Sequence, residues 1–255
     1  MIDNNKLEGR VEDYVLVFQA AEYRIVTERD IAEMHAKIID LTPDTPRVTT
    51  ARIRAEIEKV PSDSNKLVTA LEQLRRMSVD ATFAAEWVER AGVELLMRGI
   101  SGGKFRISEL GLVLAALHSL LEQKGVAEQA GPCLHQDFVQ QMSDLIPKDT
   151  SNPEMALAVA GALGILACLL RETVSQAWPL VDSCVVFSDL LKLLRAQRGP
   201  GNRLPALILI NAQLEAAPME RRAELVRLLQ ERPGKAEHSH SSLAGILRIF
   251  KSMRA

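Results

Sequence analysis

The stretch that decides the fold runs from Asn65 to Gly103 and reads NKLVTALEQLRRMSVDATFAAEWVERAGVELLMRGISGG. Apolar residues recur at every third or fourth position in three successive segments, which is the spacing of amphipathic helices. Asp80 fits the N-cap of the second helix, Ala81 to Arg90, and Gly92 fits the position that ends it. The third helix should stop at Gly102-Gly103. Each helix has an apolar face to cover, so the stretch predicts one unit of a stacked helical array.

The unit recurs along the chain, because long apolar helices begin at nearly regular intervals. Such helices begin near Leu67, Leu110, Ala156 and Leu204, which are 43, 46 and 48 residues apart. This spacing is close to the roughly 40–47-residue period of armadillo and HEAT arrays. The side chains at matching positions differ, so the pattern repeats and the motif does not. The sequence therefore predicts an all-α, armadillo/HEAT-like helical solenoid.

The first residues have a different pattern. Short runs of β-branched and aromatic residues, Tyr14 to Gln19 and Glu22 to Val26, predict a hairpin, and Ala36 to Leu41 predicts a third strand before a proline-containing linker. A β element of this size has too little apolar surface to be stable alone. Either it packs on the helices or the rest of a domain is missing. We expect two parts, a short β remnant with its linker in residues 1–46 and a helical repeat domain in residues 47–255.

Caps and breakers predict the remaining helices. Thr49 or Thr50 should cap the first helix, and Ser108 should cap a later one. Asn152-Pro153 should open a long apolar helix that ends near Glu172, whereas Pro179 should interrupt the chain. The other predicted helices are Cys133–Ile146, Val185–Arg195, Leu204–Ala216, Met219–Glu231 and Ser241–Met253.

The composition is that of an ordinary globular chain, 47% hydrophobic and 25% charged over 255 residues, with a net charge of −2. Without a basic excess there is no general electrostatic reason to bind nucleic acid, so we expect no nucleic-acid partner. The three cysteines are odd in number and widely spaced, which does not make a disulfide framework. The N-terminus has acids where a signal peptide needs an apolar run, so we expect a cytoplasmic protein.

The most hydrophobic window, Met155 to Leu170, contains no charged residue. It is shorter than the roughly 20 residues that cross a bilayer. We interpret it as a helix that is apolar all round and buried at the centre of the array, and we expect no transmembrane segment. Gly161 and Gly164 inside it should serve close helix packing.

Patterns that carry chemistry are sparse. Gly99 to Lys104 resembles a phosphate-binding loop, but Arg98 stands where that loop needs glycine and Phe105 where it needs serine or threonine, so we predict a helix–helix turn. His238-Ser-His240 and Cys133-Leu-His135 are clusters of soft metal ligands, and neither has the four ligands of a structural zinc site. We therefore predict no catalytic residue, no metal and no cofactor.

Basic residues lie near several predicted helix ends. One interpretation is solubility and compensation of the helix dipole at C-termini. Another is a basic rim that binds an acidic partner protein, since solenoids bind along extended surfaces. The second interpretation makes the candidate protein-binding residues Lys104, Arg106, Arg195, Arg198, Arg203, Arg221 and Arg222.

Two strings resemble the armadillo-like helical region of the ELMO engulfment and motility proteins. Residues 80–96, DATFAAEWVERAGVELL, are similar to that family's D-x-T-F-A-x-E-F-I…G-x-x-L-L. Residues 207–225, LILINAQLEAAPMERRAEL, are similar to its A-x-I-N-A-L-F…A-P-x-E-R-R. The region before residue 46 resembles the closing strands of the ubiquitin-like domain that precedes the array in this family. The resemblance thus covers nearly the whole chain.

This resemblance implies a non-catalytic adaptor or scaffold. ELMO proteins act with DOCK-family exchange factors so that Rac is activated and actin is remodelled in cell motility and in the phagocytosis of apoptotic cells. Their N-terminal half receives signals that include the active small GTPase RhoG. The implied partners are therefore a Rho-family GTPase and, in the full-length family, DOCK proteins, with recruitment to the plasma membrane through partners.

Two alternatives stay open on the residues themselves. One is a generic armadillo protein-binding module, such as the regulatory region of a formin. The other is an all-helical enzyme with an unrecognised site. The resemblance implies that the chain corresponds to the input half of the ELMO scaffold.

Overall fold

The computed structural model describes residues 15–18, 39–42, 46–59, 64–195 and 200–230. These residues form two short strands, twelve α-helices and two 3₁₀ turns. The strands are β1 (Val15–Phe18) and β2 (Ile39–Thr42). The helices are α1 (Pro46–Glu58), α2 (Ser64–Met77), α3 (Ala81–Glu89), α4 (Gly92–Ser101), α5 (Ile107–Leu121), α6 (Val126–Ala130), α7 (Gln136–Leu145), α8 (Pro153–Glu172), α9 (Val174–Cys184), α10 (Phe187–Arg195), α11 (Arg203–Ala216) and α12 (Met219–Gln230).

The two strands pair in an antiparallel ladder. Val15 lies opposite Thr42, and Phe18 lies opposite Ile39. Strands were predicted at both places, so the expected short N-terminal β element is confirmed. The predicted strand Glu22 to Val26 lies outside the described residues. The ubiquitin-like origin of this element and the domain boundary at residue 46 stay predictions.

Four helices form the central row of the array. α2 packs on α5, α5 packs on α8, and α8 packs on α11. These are the helices whose regular spacing suggested the repeat, so the prediction of an all-α solenoid is confirmed. The other helices of residues 46–195 pack beside the row, α1 on α2 and α3, α7 on α4 and α8, and α10 on α11.

The middle of this row is α8, a helix of 20 residues. By length and composition it is the one helix among the described residues that could cross a membrane. Every residue from Gly161 to Leu170 is buried, however, so α8 is the core helix that the sequence predicted. Asn152 caps it by accepting a hydrogen bond from the Glu154 amide at 2.8 Å, and Pro153 occupies the first helical position, as expected.

The corner between α3 and α4 corrects one prediction. Asp80 caps α3 as expected, because its Oδ1 accepts the Phe83 amide at 2.8 Å. The left-handed residue after α3 is Ala91, with φ of 54°, and Gly92 is the first residue of α4. A Cβ at position 92 would overlap the indole ring of Trp87, which is fully buried. Close packing on Trp87 therefore outweighs the usual preference for glycine in the left-handed position.

Three further predictions of helix boundaries were wrong. Thr49 and Thr50 are buried inside α1, which begins at Pro46, because proline is favourable at the first helical position. Ser108 is the second residue of α5, and the N-terminus of this helix is closed by Glu109, whose Oε2 accepts the Arg106 amide at 2.9 Å. Pro179 lies on the exposed side of α9 without ending it, because the burial of Ala177 and Val181 holds the helix against its neighbours.

The predicted helix Cys133–Ile146 is divided. Gly131–Cys133 forms a 3₁₀ turn, Leu134 and His135 are extended, and α7 starts only at Gln136. The extended pair turns the chain before α7, and this break shapes the cleft described below.

The chain divides into two compact units, Met1–Ala217 and Pro218–Ala255. The second unit contains α12, whose first turn is closed by the Arg222 amide donating to the Pro218 carbonyl at 2.8 Å. Arg221 forms an ion pair of 2.5 Å with Glu224 on the same helix. The predicted helix Ser241–Met253 lies outside the described residues.

Candidate functional site

The glycine-rich segment between α4 and α5 is a helix–helix turn, as predicted. Gly103 has φ of 63°, a left-handed conformation that glycine adopts without strain. The Lys104 ammonium group donates a hydrogen bond to the carbonyl of Ile57 in the last turn of α1. That turn contains no basic residue of its own. Lys104 therefore supplies positive charge to the C-terminus of α1, as the dipole interpretation predicts.

Four of the other basic residues contradict that interpretation, because they lie at helix N-termini. Arg106 is the exposed N-cap residue of α5, and Arg203 is the first residue of α11. Arg221 and Arg222 lie in the first turn of α12. A positive charge at a helix N-terminus faces the positive end of the helix dipole, which is mildly unfavourable. Dipole compensation therefore does not explain these arginines.

The remaining two candidates are less fully placed. Arg195 is the last residue of α10, and its side chain lies outside the described part of the structure, as does the whole of Arg198. In the central row, α8 lies between the helix that follows Lys104 and Arg106 and the helix that Arg203 begins. Arg221 and Arg222 belong to the second unit. A single basic rim containing all seven residues stays a prediction.

A cleft between α4 and α7, which we call the α4–α7 cleft, is a second candidate site. Its volume is about 320 Å³. The lining side chains come from α4, from the 3₁₀ turn, from the extended segment between this turn and α7, and from the first turn of α7. They are Glu94, Met97, Arg98, Ser101, Pro132, Cys133, His135 and Asp137.

Charge is arranged around an apolar base in this cleft. Met97 is 3% exposed and Cys133 is half-buried. Glu94 and Arg98 are one helical turn apart, with 3.6 Å between Glu94 Oε1 and Arg98 Nε. Burial raises the pKa of the Cys133 thiol, the Glu94 carboxylate raises it further, and Arg98 lowers it. The thiol is therefore protonated near neutral pH and acts as a small apolar group.

No group of three or more histidine, cysteine, aspartate or glutamate side chains in the described residues is placed to hold a metal ion. Cys133 and His135, which the sequence singled out, do line one cleft. The other such pair, His238 and His240, lies outside the described residues.

The contact between α5 and α8, which we call the α5–α8 seam, contains a second group of titratable residues. A Cβ on Gly164 would lie 2.5 Å from His118 Nε2, so the imidazole covers this glycine. Burial lowers the pKa of His118, the Glu122 carboxylate raises it, and Arg171 lowers it. Arg171 also donates to the Cys168 thiol at 3.3 Å. The two helices approach closely at Gly161 and Gly164, so we assign these residues to packing.

The sequence did not indicate that two carboxylates, those of Glu94 and Asp137, line the same cleft. Glu94 and Asp137 are separated by 43 positions, and each has an ordinary place on the polar face of its own helix. Only the packing of α4 against α7 brings them to one cleft. The available signal was the unusual Cys133-Leu-His135 string, which marks the break before α7.

Comparison with known proteins gives one finding about the family. The model described as "ELMO, armadillo-like helical domain" matches residues 82–236. That is more than half of the 255 residues. The match includes the whole of the string 207–225 and nearly all of the string 80–96. A comparison with curated proteins gave no match.

Proposed function

The chain belongs to the ELMO family of armadillo-like helical domains, and from that membership we propose that it is a non-catalytic adaptor in Rac signalling. A domain of this kind is a scaffold that binds other proteins. In the proposed role the chain receives an upstream signal from a Rho-family small GTPase. DOCK exchange factors are then the partners that act with the full-length scaffold to activate Rac.

The observation that carries this proposal is the match of the family over residues 82–236, which cover the helices from α3 to α12. The row α2, α5, α8 and α11 supports it, because a stack of helices offers an extended surface on which a protein partner can bind. The cellular roles proposed with it are actin rearrangement, cell motility and phagocytosis of apoptotic cells. The proposed location is the cytoplasm, with recruitment to the plasma membrane through partners.

We assign partner contacts, separately in each of the two units, to the predicted basic residues that the dipole does not explain. Arg106 and Arg222 are exposed and lie at helix N-termini, where the helix dipole does not favour a positive charge. Lys104 is the weakest member of the predicted set, because its ammonium group is held by the Ile57 carbonyl.

The experiment is a pull-down of the full chain on immobilised RhoG loaded either with a non-hydrolysable GTP analogue or with GDP. We expect preference for the GTP-analogue form. Arg106→Ala and Arg222→Ala should each weaken capture, and Arg75→Ala, an exposed arginine on α2 outside the predicted set, should not. Circular dichroism of each variant confirms that it is folded.

Two outcomes would contradict the proposal. Equal or absent capture of a folded chain on both nucleotide forms removes the GTPase role. A partner screen that returned actin assembly factors without DOCK or Rac components would favour the formin-type module instead.

A further inference from the structure

None of the seven predicted basic residues is among those that line the α4–α7 cleft, so the proposed GTPase interaction does not use the side chains of this cleft. It has a fixed width because its two helices are tied together. The Gln141 side-chain amide on α7 donates to the Ser101 carbonyl at the end of α4 at 2.7 Å. On the same helix, the Ser143 hydroxyl donates to the Cys184 carbonyl at 2.7 Å, which holds α7 to the end of α9. A cleft that exists before binding avoids the entropic cost of ordering it.

The size of the cleft limits what can enter. At about 320 Å³ it lies at the lower end of the range of small-molecule pockets, roughly 300–1,000 Å³. One long side chain with a few backbone atoms fits a space of this size. Met97, Pro132 and the Cys133 thiol give the long side chain an apolar base to lie on.

The charges of the cleft select the sign of the occupant. Glu94 and Asp137 contribute two carboxylates and Arg98 contributes one guanidinium, so the carboxylates outnumber the guanidinium by one. Arg98 lies on the side of Glu94, its neighbour on α4. The Asp137 carboxylate is exposed and has no hydrogen-bond or ion-pair partner among the residues that the structure describes. The cleft therefore complements a single positive charge.

We propose that the α4–α7 cleft docks one lysine or arginine side chain from an exposed segment of a partner protein. The aliphatic stem lies on Met97 and Pro132, and the cationic head binds the carboxylates of Glu94 and Asp137 at the rim. Lysine and arginine bind in this way because their stems are apolar and their heads stay in contact with water. An apolar neighbour in the partner segment would cover the Cys133 thiol. The proposal rests on the adaptor function and names one class of partner segment.

The test uses the full chain and a defined probe, the acetylated and amidated peptide Gly-Leu-Arg-Leu-Gly. A matched peptide carries citrulline in place of arginine, which keeps the shape and removes the charge. Binding is followed by ¹⁵N–¹H NMR of the chain during titration. We expect the arginine peptide to shift the amide signals of α4 and of the start of α7, and the citrulline peptide to bind at least about fivefold more weakly.

Variants separate the two carboxylates from general surface charge. Glu94→Gln and Asp137→Asn should each weaken the arginine peptide about threefold, and the double variant about tenfold. Glu72→Gln removes an exposed carboxylate on α2 and should leave binding unchanged. The proposal would be overturned if the arginine and citrulline peptides bound equally tightly, or if the arginine peptide bound the double variant as tightly as the unaltered chain. Amide shifts confined to other helices would also overturn it.

Thiol alkylation gives a second measurement that does not depend on the variants. Cys133 is half-buried, whereas Cys168 and Cys184 are buried, so Cys133 should react first with iodoacetamide. The arginine peptide should slow alkylation of Cys133 and the citrulline peptide should not. Unchanged alkylation with the arginine peptide at a saturating concentration would contradict docking in the cleft.

The outcome is separable from that of the proposed function. A chain that binds GTP-loaded RhoG and ignores the arginine peptide retains the adaptor role and loses the cleft assignment. A chain that binds the peptide in the cleft and not RhoG has a docking site and a different signalling partner.

Discussion

The α5–α8 seam and the α4–α7 cleft are both contacts between helices, and they differ in what lies between the backbones. In the seam, Gly161 has no side chain, and a Cβ there would lie 2.7 Å from the Cβ of Leu114. In the cleft, Met97, Cys133 and their neighbours leave a space of about 320 Å³ that opens to solvent. The difference separates residues that stabilise the array from residues that are free to bind.

The comparison also shows why the two regions have different sequences. A seam requires small and apolar residues on one helix, and α8 has them in a run without a charge from Met155 to Leu170. A cleft needs polar groups that converge from separate segments, so no single segment looks unusual. An unpaired buried polar group would be costly in the seam, whereas the cleft opens to solvent and tolerates polar groups.

The largest expected difference concerns truncation of one apolar side chain in each region. Leu114 is fully buried against Gly161, so Leu114→Ala should lower the free energy of unfolding by about 3–5 kcal/mol. Met97→Ala should cost less, about 2 kcal/mol, because the vacated space joins a cleft that water enters. Urea unfolding followed by circular dichroism measures both. Equal losses would mean that the cleft is packed as tightly as the seam.

A smaller effect should follow from adding a methyl group at each glycine of the seam. At Gly161 the new Cβ would meet the Cβ and backbone of Leu114, which cannot move aside, so Gly161→Ala should cost about 1–3 kcal/mol. At Gly164 it would meet only the imidazole of His118, which is half-exposed and can rotate. Gly164→Ala should therefore cost less than about 1 kcal/mol, because alanine also favours the helix.

Double variants distinguish the two cases. His118→Ala should remove the cost of Gly164→Ala, since it removes the ring that the methyl group meets. Leu114→Ala should not remove the cost of Gly161→Ala, since the clashing atoms remain in alanine. The reverse pattern would contradict the assignment of the glycines.

The smallest expected effect is the pH dependence of the seam. The pKa of folded His118 lies below its ordinary value of 6.5, chiefly because of burial. The unfolded chain therefore binds the proton more tightly. The corresponding stability is fully present above about pH 6.5 and is lost as pH falls through the lowered pKa of the folded state.

The variant His118→Gln keeps a polar side chain over Gly164 and removes the titration. Between pH 7.5 and 5.5, the melting temperature of the unaltered chain should fall more than that of the variant, at constant ionic strength. Thermal unfolding followed by circular dichroism measures both curves. Parallel curves would show that His118 does not contribute, since the other groups near it, Glu122 and Arg171, are present in both chains.

The sequence predicted the array well because helix spacing and apolar faces are local properties. It predicted α8, the cap Asp80 and the packing role of Gly161 and Gly164. It failed at Gly92, because the contact with Trp87 that requires glycine is invisible until α3 and α4 are packed. The prediction that Thr49 or Thr50 caps the first helix was wrong for a similar reason, since a residue type that suits a cap can also be buried inside a helix.

The candidate sites were predicted less well for a physical reason. The sequence identified the basic residues but not the end of a helix at which each one lies. That depends on the helix boundaries in the structure, which differ by one to three residues from the predicted boundaries. Arg106, for example, became an N-cap residue because α5 starts before Ser108. The α4–α7 cleft depends on contacts between distant segments, and its two carboxylates carry no signal along the chain.

The central row of helices has a mechanical consequence. Neighbouring contacts join α2 to α5, α5 to α8, and α8 to α11, so bending of this row is shared among three hinges in series. The contact between α5 and α8 is the most extensive of the three, and at Gly161 the helix backbone lies so close to Leu114 that little room is left for rotation. When the row bends, we therefore expect α5 and α8 to move together, and the change of angle to occur at the contacts of α2 with α5 and of α8 with α11.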